Sequence, residues 1–322
     1  MKQTSFFTHI YDNKKKKVRK EIFLGEMEKV VPWKNLKELI EPHYPKAGHG
    51  RKPMPLDWML RIYFCQKWFN LSDPGMEDAI YDVLSIQRFI GLDMSSNSIP
   101  DESTILQFRH LLEDHQLTET LFHCINDKLA LHGLLVKTGT IVDATIINAP
   151  PSTKNKERKR DPEMHQTRKG NQWYFGMKIH TGSDTGQGLV HTLKGTAANV
   201  ADNTVMDDLL QGDEIEVYGD KAYADELAQD ISEALGVAWK VQHKAKPGNV
   251  LTAKQERENA KRSRVRAKGE HAYRIVKNVW GHAKVRYRGL AKNTMHYFTC
   301  FGLANLYMAR HKIIKLQESY VW

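Results

Sequence analysis

The sequence predicts a mixed α/β fold: a mixed β-sheet flanked by helices and preceded by an all-α N-terminal domain. Up to about residue 135, apolar residues recur at spacings of three and four, which is typical of packed helices. From Gly133 onward, segments rich in β-branched residues appear and then alternate with helical segments. A strand meander followed by alternating helices and strands favours a mixed sheet.

The first part of the chain divides into two predicted regions. Residues 1–44 are expected to form a basic arm that carries the block KKKKVRK, and residues 45–135 a helical domain for DNA binding or dimerisation. The helices are predicted over DWMLRIYFCQKWFN, over MEDAIYDVLSIQRFIGL as one helix that ends at Gly91, and over DESTILQFRHLLEDH, which starts with a capping pattern. This arrangement is compatible with a helix-turn-helix.

The second part, residues 136–322, carries the predicted sheet. Three consecutive antiparallel strands are predicted over GTIVDATIINA, WYFGMKIHTGSD and GLVHTLKGTAAN. A basic insert at about 150–172 follows the first of them, and a loop of this length is usually functional or disordered. The next predicted elements are a helix over VADNTVMDDLLQG, a strand over EIEVYGDKAY, a helix over ADELAQDISEALG, a strand over VAWKVQHK and a long helix from about 252 to 280.

The composition favours a folded protein that binds a polyanion. The 322 residues are 41% hydrophobic and carry a net charge of +10, for which nucleic acid is the commonest partner. The three cysteines, Cys65, Cys124 and Cys300, lie far apart without a CxxC pair, as is typical of reduced cytoplasmic thiols. We expect neither export nor membrane insertion, since the sequence shows no secretory signal and no run of eighteen apolar residues.

Three carboxylates are candidate functional groups because of their positions in the sequence. Asp143 lies inside the apolar run TIVDATII, where an unpaired carboxylate is costly to bury. Asp220 follows the strand EIEVYG, at the kind of strand end where open α/β sheets bind ligands, although a turn or helix cap would also explain it. Glu270 is the single acid among nine Lys or Arg residues over 262–289, and the alternative there is a surface glutamate that supports the helix by pairing with Arg274.

These acids suit metal-dependent phosphodiester chemistry. Two aspartates on neighbouring strands and a glutamate on a later helix supply the hard oxygen ligands that a pair of Mg²⁺ ions requires. In a two-metal site, one ion activates the attacking oxygen and the other stabilises the leaving oxygen. The bases around Glu270 would hold the phosphates of the DNA backbone beside the acids.

Several passages resemble bacterial insertion-sequence transposases of the IS-five family. They are GTIVDATIINAPPSTKN, RDPEMHQTRKGNQWYFGMKIH, VYGDKAYAD, RAKGEHAYRIVK and VRYRGLAKN. Since GRKPMPLDWMLRIYFCQKWFNLSDPGMEDAIYD is similar to the helical N-terminal domain of that family, the resemblance covers nearly the whole chain. It implies a ribonuclease-H-like catalytic domain of the DDE type, in which Asp143, Asp220 and Glu270 are catalytic and bind the metal.

Members of this family carry a tyrosine, arginine, glutamate and lysine signature on the last catalytic helix. Arg266, Glu270 and Lys277 match its spacing, and Ser263 occupies the tyrosine position. Bases near the acids are expected to contact phosphates and to contribute salt-dependent affinity rather than sequence readout. The candidate DNA contacts are Arg266, Arg274, Lys277, Lys178, Arg286, Arg288, Lys154, Lys156 and Arg158.

The resemblance also implies a reaction and its partners. Two Mg²⁺ ions per site, or Mn²⁺ in their place, would support cleavage at the ends of an insertion sequence and transfer of the freed 3′ ends into target DNA. A homodimer would bind the terminal inverted repeats and the target duplex at the nucleoid, in the bacterial cytoplasm. The alternatives are a catalytically silent DNA-binding regulator, a nuclease without strand transfer, and a zinc enzyme, which the absence of HExxH and of clustered Cys/His spacing disfavours.

Overall fold

The computed structural model describes residues 15–48, 52–92, 98–136, 138–245 and 248–319. A group of helices occupies the N-terminal part of this structure, as predicted. They are α1 (Arg19–Val30), α2 (Trp33–Ile40), α3 (Leu56–Phe69), α4 (Asp73–Asp82), α5 (Leu84–Ile90), α6 (Glu102–Asp114) and α7 (Leu117–Leu131), with a 3-10 turn at Glu41–His43. The predicted cap of α6 forms, because Asp101 accepts a 2.7 Å hydrogen bond from the Thr104 N–H.

One helical prediction in this region is wrong in part. MEDAIYDVLSIQRFIGL does not form one helix, because Val83 adopts an extended backbone, with φ −110° and ψ 94°, and separates α4 from α5. The predicted end at Gly91 is confirmed, since this residue has φ 84° and caps α5 in the left-handed conformation.

The sheet has the predicted mixed topology. Its strands are β1 (Gly139–Asn148), β2 (His165–Lys169), β3 (Gln172–Asp184), β4 (Val190–Ala197), β5 (Glu216–Gly219) and β6 (Ala238–Val241). Their order is β2-β3-β1-β5-β6, and β4 also pairs with β3. β1, β3 and β4 form the predicted antiparallel meander, whereas β5 pairs parallel with β1 and β6 parallel with β5. With helices on its faces, this sheet is consistent with a ribonuclease-H-like fold.

The insert at about 150–172 contains a strand that the sequence analysis missed. β2 pairs antiparallel with β3, and Gly176 pairs with His165 of β2 on one side and with Asn148 of β1 on the other. β2 and β4 therefore follow one another along the same outer edge of β3. The insert thus extends the sheet rather than leaving it as a long loop.

The helix predicted over VADNTVMDDLLQG does not form. Two short 3-10 turns, Asp202–Val205 and Asp207–Leu209, take its place. Thr204 Oγ1 donates a 2.8 Å hydrogen bond to the Ala201 carbonyl, a local bond that competes with helix formation. Met206 and Leu209 are buried in a small core with Val142 and Val217, so packing against the sheet determines the path of this segment.

The long helix predicted from about 252 to 280 is interrupted. It forms as α9 (Ala253–Arg266) and α10 (Glu270–Arg274), and a π-helical turn, Ile275–Val279, follows α10. Val279, at the end of the π turn, is 57% exposed, whereas Val276 within the turn is buried. The remaining helices are α8 (Glu226–Ala234) and α11 (Leu290–Glu318).

α11 packs against both parts of the protein. It contacts α7 and α1 of the N-terminal region and β4 of the sheet. Arg310 of α11 donates a 2.9 Å hydrogen bond to Glu26 of α1, which lies in the region predicted as a basic arm. That region contains α1 and α2, which bury residues such as Met27 and Leu36. None of the described helices, α11 included, is both long and apolar enough to cross a membrane.

A buried amide, Asn305, connects α11 to α7 and β4. Its Oδ1 accepts a 2.9 Å hydrogen bond from the Val190 N–H, and its Nδ2 donates to Asn126 Oδ1 and to the Val190 carbonyl. Asn305 is fully buried, so these contacts replace water for its amide oxygen and its amide nitrogen.

We expect Asn305→Ala to lower the free energy of unfolding by about 1–3 kcal/mol, because it leaves the buried Val190 N–H without this partner. Urea unfolding followed by circular dichroism measures the change. Lys312→Ala, at an exposed position of the same helix, is the matched control and should change the stability little. Equal stability of both variants would contradict the structural role of Asn305.

Candidate active site

Two of the predicted acids lie side by side on neighbouring parallel strands. The register of β1 and β5 pairs Ile141 with Tyr218, and continuing it by two residues brings Asp143 level with Asp220. Both aspartates line an open cavity of about 490 Å³. Asp220 Oδ1 also accepts a 2.7 Å hydrogen bond from the Ala222 N–H, so the turn role considered for Asp220 coexists with its place in the cavity.

The break between α9 and α10 brings the third acid to the same cavity. Lys268, in the break, donates a 2.8 Å hydrogen bond from Nζ to the Thr185 carbonyl in the turn between β3 and β4. Gly188 of that turn has φ +74°, and a Cβ there would lie 2.1 Å from the Lys268 carbonyl oxygen, so only glycine permits this close contact. Glu270 then starts α10 and lines the cavity with Asp143 and Asp220.

Asp143 is the most strongly perturbed of the three acids. Burial raises the pKa of Asp143 to about 6, and the negative charges of Asp220 and Glu270 add to the rise. Two contacts oppose it: the Arg266 guanidinium, whose Nη2 lies 3.7 Å from Asp143 Oδ1, and the Ala144 N–H, 2.9 Å from the same oxygen. The site therefore contains negative charge that Arg266 neutralises only in part.

The donor set of this cavity fits a divalent cation of the Mg²⁺ type. Three carboxylates, the hard oxygen ligands that Mg²⁺ prefers, line one cavity, and burial and then the charges of the other two raise the pKa of Asp143. A bound cation would relieve this repulsion. In the described ranges, His282, His296 and Cys300 are the trio of potential ligands whose donor atoms all lie within 4.8 Å of one another, so at least one pair of the three carboxylates is separated by more than that.

The signature residue Arg266 contacts an acid rather than solvent. Besides its contact with Asp143, its Nη1 lies 3.5 Å from Gln242 Oε1, and its side chain is 15% exposed. Ser263, at the tyrosine position of the signature, accepts a 2.6 Å hydrogen bond from Gln242 Nε2. Arg266 is therefore placed to favour the ionised form of Asp143.

Glu270 lies between the acid cavity and a basic groove. The groove has a volume of about 500 Å³, and Glu270, His271, Arg274 and Lys277 are among its lining residues. Arg274 is exposed, whereas Lys277 Nζ donates to Thr145 Oγ1 at 2.8 Å and to the Ile146 carbonyl at 2.9 Å. Burial and then the charge of Lys169 lower the pKa of Lys277.

Lys178 also lines the acid cavity, but its charge has a partner within the protein. Its Nζ donates 2.8 Å hydrogen bonds to Asp202 Oδ1 and to the Val200 carbonyl. Asp202 is a fourth acid on the cavity wall that the sequence analysis missed. Its sequence neighbourhood, ADNTV, looks like an ordinary polar turn, and only the fold brings it to the site.

Three of the remaining predicted DNA contacts line a different groove. This groove, of about 530 Å³, lies between the insert and the segment before α11, and its lining includes Lys154, Arg286 and Arg288. Arg286 bonds to Asn70, and Arg288 forms a 2.7 Å ion pair with Glu157. Lys156 and Arg158 are exposed on the same insert.

Two further contributions to the acid cavity were not predicted. The Tyr273 hydroxyl donates a 3.0 Å hydrogen bond to the Asp143 carbonyl and lies 2.7 Å from Thr181 Oγ1, so it holds β1, β3 and α10 together beneath the acids. The residues of β2 that line the cavity are Thr167, Arg168 and Lys169. The sequence marked β2 as basic but not as part of this site, because the pairing of β2 with β3 is not visible in its composition.

The raised pKa of Asp143 predicts a pH-dependent cost to stability in metal-free protein. Since the pKa is higher in the folded protein, ionisation opposes folding as the pH rises from about 4 to about 6 and remains unfavourable above that. Asp143→Asn should therefore increase the free energy of unfolding at pH 7.5 by about 1–3 kcal/mol, a range that allows for the lost contact with Arg266. At pH 4 the same substitution should increase it little.

Urea unfolding in the presence of a chelator measures this difference at both pH values. Asp230→Asn, at an exposed position of α8, is the matched control and should show no such pH dependence. The same gain for Asp143→Asn at pH 4 and pH 7.5 would contradict the prediction.

Comparison with known families agrees with this geometry. A family model described as "Transposase DDE domain" matches residues 135–306, the part that contains the sheet and all three acids. A second, described as "Transposase domain (DUF772)", matches residues 12–111. No solved structure matches the chain. Because the first match covers more than half of the chain and the second covers most of the N-terminal helices, the chain belongs to the DDE transposases, enzymes that bind DNA and act on its phosphodiester bonds.

Proposed function

We propose that this transposase cleaves DNA at the ends of an insertion sequence of the IS-five family and joins the freed ends to target DNA. The observation that carries the proposal is the meeting of Asp143, Asp220 and Glu270, which are 77 and 50 residues apart in the sequence, around one cavity. These three residues are the proposed catalytic acids.

The acids would hold the cations, and the surrounding bases would hold the DNA. Two Mg²⁺ ions, or Mn²⁺ in their place, would supply Lewis-acid stabilisation of the attacking and leaving oxygens. Tyr273 keeps the β1 backbone in place beneath Asp143, and Arg266 favours the ionised form of Asp143. Arg274 and Lys277, in the groove beyond Glu270, are placed to hold the phosphates of a strand that enters the cavity.

The reaction consists of two in-line displacements. Water first attacks the phosphodiester at the element's end, which leaves a free 3′-hydroxyl. That hydroxyl then attacks a target phosphodiester, forms the new bond and releases a 3′-hydroxyl of the target strand. Neither step needs a covalent protein intermediate, which agrees with a site built of carboxylates and bases.

Recognition of the element's ends is assigned to the helices of residues 45–135 and to the insert. The insert supports this role because Lys154, Lys156 and Arg158 are exposed on it and the groove beside it is basic. A homodimer on double-stranded DNA, located at the bacterial nucleoid, would bring two inverted repeats together, and the region of residues 1–44 would add charge to it.

We expect Asp143→Asn, Asp220→Asn and Glu270→Gln each to reduce Mg²⁺-dependent cleavage at least about 100-fold, since each removes a ligand worth several kcal/mol in the transition state. The assay uses labelled duplexes that carry the element's ends and measures both cleavage and joined product. Glu256→Gln, an exposed acid on α9, is the matched control.

The same assay separates the alternatives. Cleavage without joined product by the unaltered protein would favour a nuclease without strand transfer. Specific end binding with no cleavage by the unaltered protein, in Mg²⁺ or Mn²⁺, would favour the silent regulator. Full activity of any of the three variants would overturn the assignment of that acid.

Arg274 in the groove and Lys178 in the acid cavity should differ in how much they contribute to DNA binding. Arg274→Ala should reduce the slope of log Kobs against log salt concentration by about 0.9, as expected for one lost phosphate contact on B-DNA. Lys178→Ala should leave the slope almost unchanged and lower the stability instead, because Asp202 already neutralises this lysine. Fluorescence anisotropy at several salt concentrations measures the slopes, and an unchanged slope for Arg274→Ala would remove it from the DNA contacts.

A further inference from the structure

Three residues with metal-binding side chains meet in the protein interior. His296 and Cys300 lie one turn apart on α11, and His282 lies in the segment before this helix. Each residue is at most 2% exposed. One ligand atom of each lies within 4.8 Å of the other two, a spacing that no other trio of His, Cys, Asp or Glu achieves in the ranges that the structure describes.

The distances between these donors resemble the edges of a tetrahedral zinc site. His282 Nδ1 lies 3.2 Å from His296 Nε2, and Cys300 Sγ lies 3.5 Å from the same nitrogen. With Zn–N bonds of about 2.05 Å and a Zn–S bond of about 2.3 Å, tetrahedral angles give edges of about 3.3 Å and about 3.6 Å. Without a metal, one His296 Nε2–H would have to be shared between His282 Nδ1 and Cys300 Sγ. One metal ion would bind all three ligand atoms.

The backbone around His282 already selects the correct tautomer. His282 Nε2 lies 2.7 Å from the Lys67 carbonyl oxygen, so this nitrogen carries the proton and donates it. The lone pair of His282 is then on Nδ1, the nitrogen that faces His296. A hydrogen bond from the second ring nitrogen to a carbonyl is the usual support of a metal-binding histidine.

The Lys67 side chain contacts the ring nitrogen of His296 that is not one of these donors. Its Nζ lies 3.0 Å from His296 Nδ1 and 4.3 Å from the centre of the Tyr63 ring. The nitrogen that faces His282 and Cys300 is Nε2, so Lys67 does not lie between the three donors.

We propose that His282, His296 and Cys300 bind one soft transition-metal ion, Zn²⁺ or a chemically similar ion, at a site separate from the acid cavity. Thiolate and imidazole ligands select such ions over Mg²⁺. The ion would fasten the segment that contains His282 to α11, and through the Lys67 carbonyl to α3. This site rests on its own residues and does not depend on the proposed reaction.

The test measures metal binding by the full-length protein without DNA. A chelator first removes bound metal from the protein. The protein is then loaded with Zn²⁺ in the presence of excess Mg²⁺, which occupies the acid cavity. After gel filtration, mass spectrometry measures the zinc bound per chain. We expect one Zn²⁺ per chain. Loading with Co²⁺ instead should produce a thiolate-to-cobalt charge-transfer band, which a carboxylate site cannot produce.

Cys300→Ser identifies the ligand, and Cys65→Ser, at another fully buried cysteine, is the matched control. Cys300→Ser should lose the cobalt band and bind Zn²⁺ at least about 10-fold more weakly, whereas Cys65→Ser should retain both. If the unaltered protein binds no stoichiometric zinc and gives no cobalt band, or if Cys300→Ser retains both, the proposal is wrong. Should Cys300→Ser fail to fold, the zinc count and cobalt spectrum of the unaltered protein decide.

Discussion

The parallel pairing of β1 with β5 is the interaction on which the acid cavity depends. It brings Asp143 and Asp220 level, although 77 residues separate them in the sequence. The pairing is stabilised from below by Val142 and Val217, which are buried in the same small core. A shift of one residue in this register would turn one aspartate to the opposite face of the sheet and separate the two carboxylates.

The second constraint is the contact between the turn of β3 and β4 and the break before α10. Helical periodicity continues through residues 252–280, so the sequence predicts one helix. The break depends on the Lys268 carbonyl, which fits against Gly188 some eighty residues earlier. Local sequence cannot reveal such a contact. The same limitation explains why β2 was not predicted: its residues HQTRK form a strand because they pair with the edge of β3.

Asp143 and Glu270 stand out in the sequence because each conflicts with its local surroundings, whereas Asp220 stands out only by its place at the end of a strand. A carboxylate within a β-branched run, or alone among nine bases, needs a partner that the neighbouring residues do not supply. Asp202 and Tyr273 could not be found this way, since an aspartate in a polar segment and a tyrosine on an apolar helix face have ordinary explanations. The same limit applies to the bases: Lys178 and Arg274 look alike in the sequence, and only the structure shows that Asp202 binds Lys178.

The charge balance around Asp143 gives a physical reason for an arginine beside this acid, the proposed metal ligand. In the free protein, burial and two neighbouring carboxylates raise the pKa of Asp143, and Arg266 is the cation that opposes this. Once divalent cations neutralise the acids, Asp143 no longer needs the guanidinium. Arg266 Nε is buried without a hydrogen-bond partner in the described residues, so this side chain has donors to spare. Under the proposed function, the same arginine would keep Asp143 ionised before the metal binds and would contact a phosphate afterwards. A lysine, with one point of charge and no planar set of donors, would do this less well.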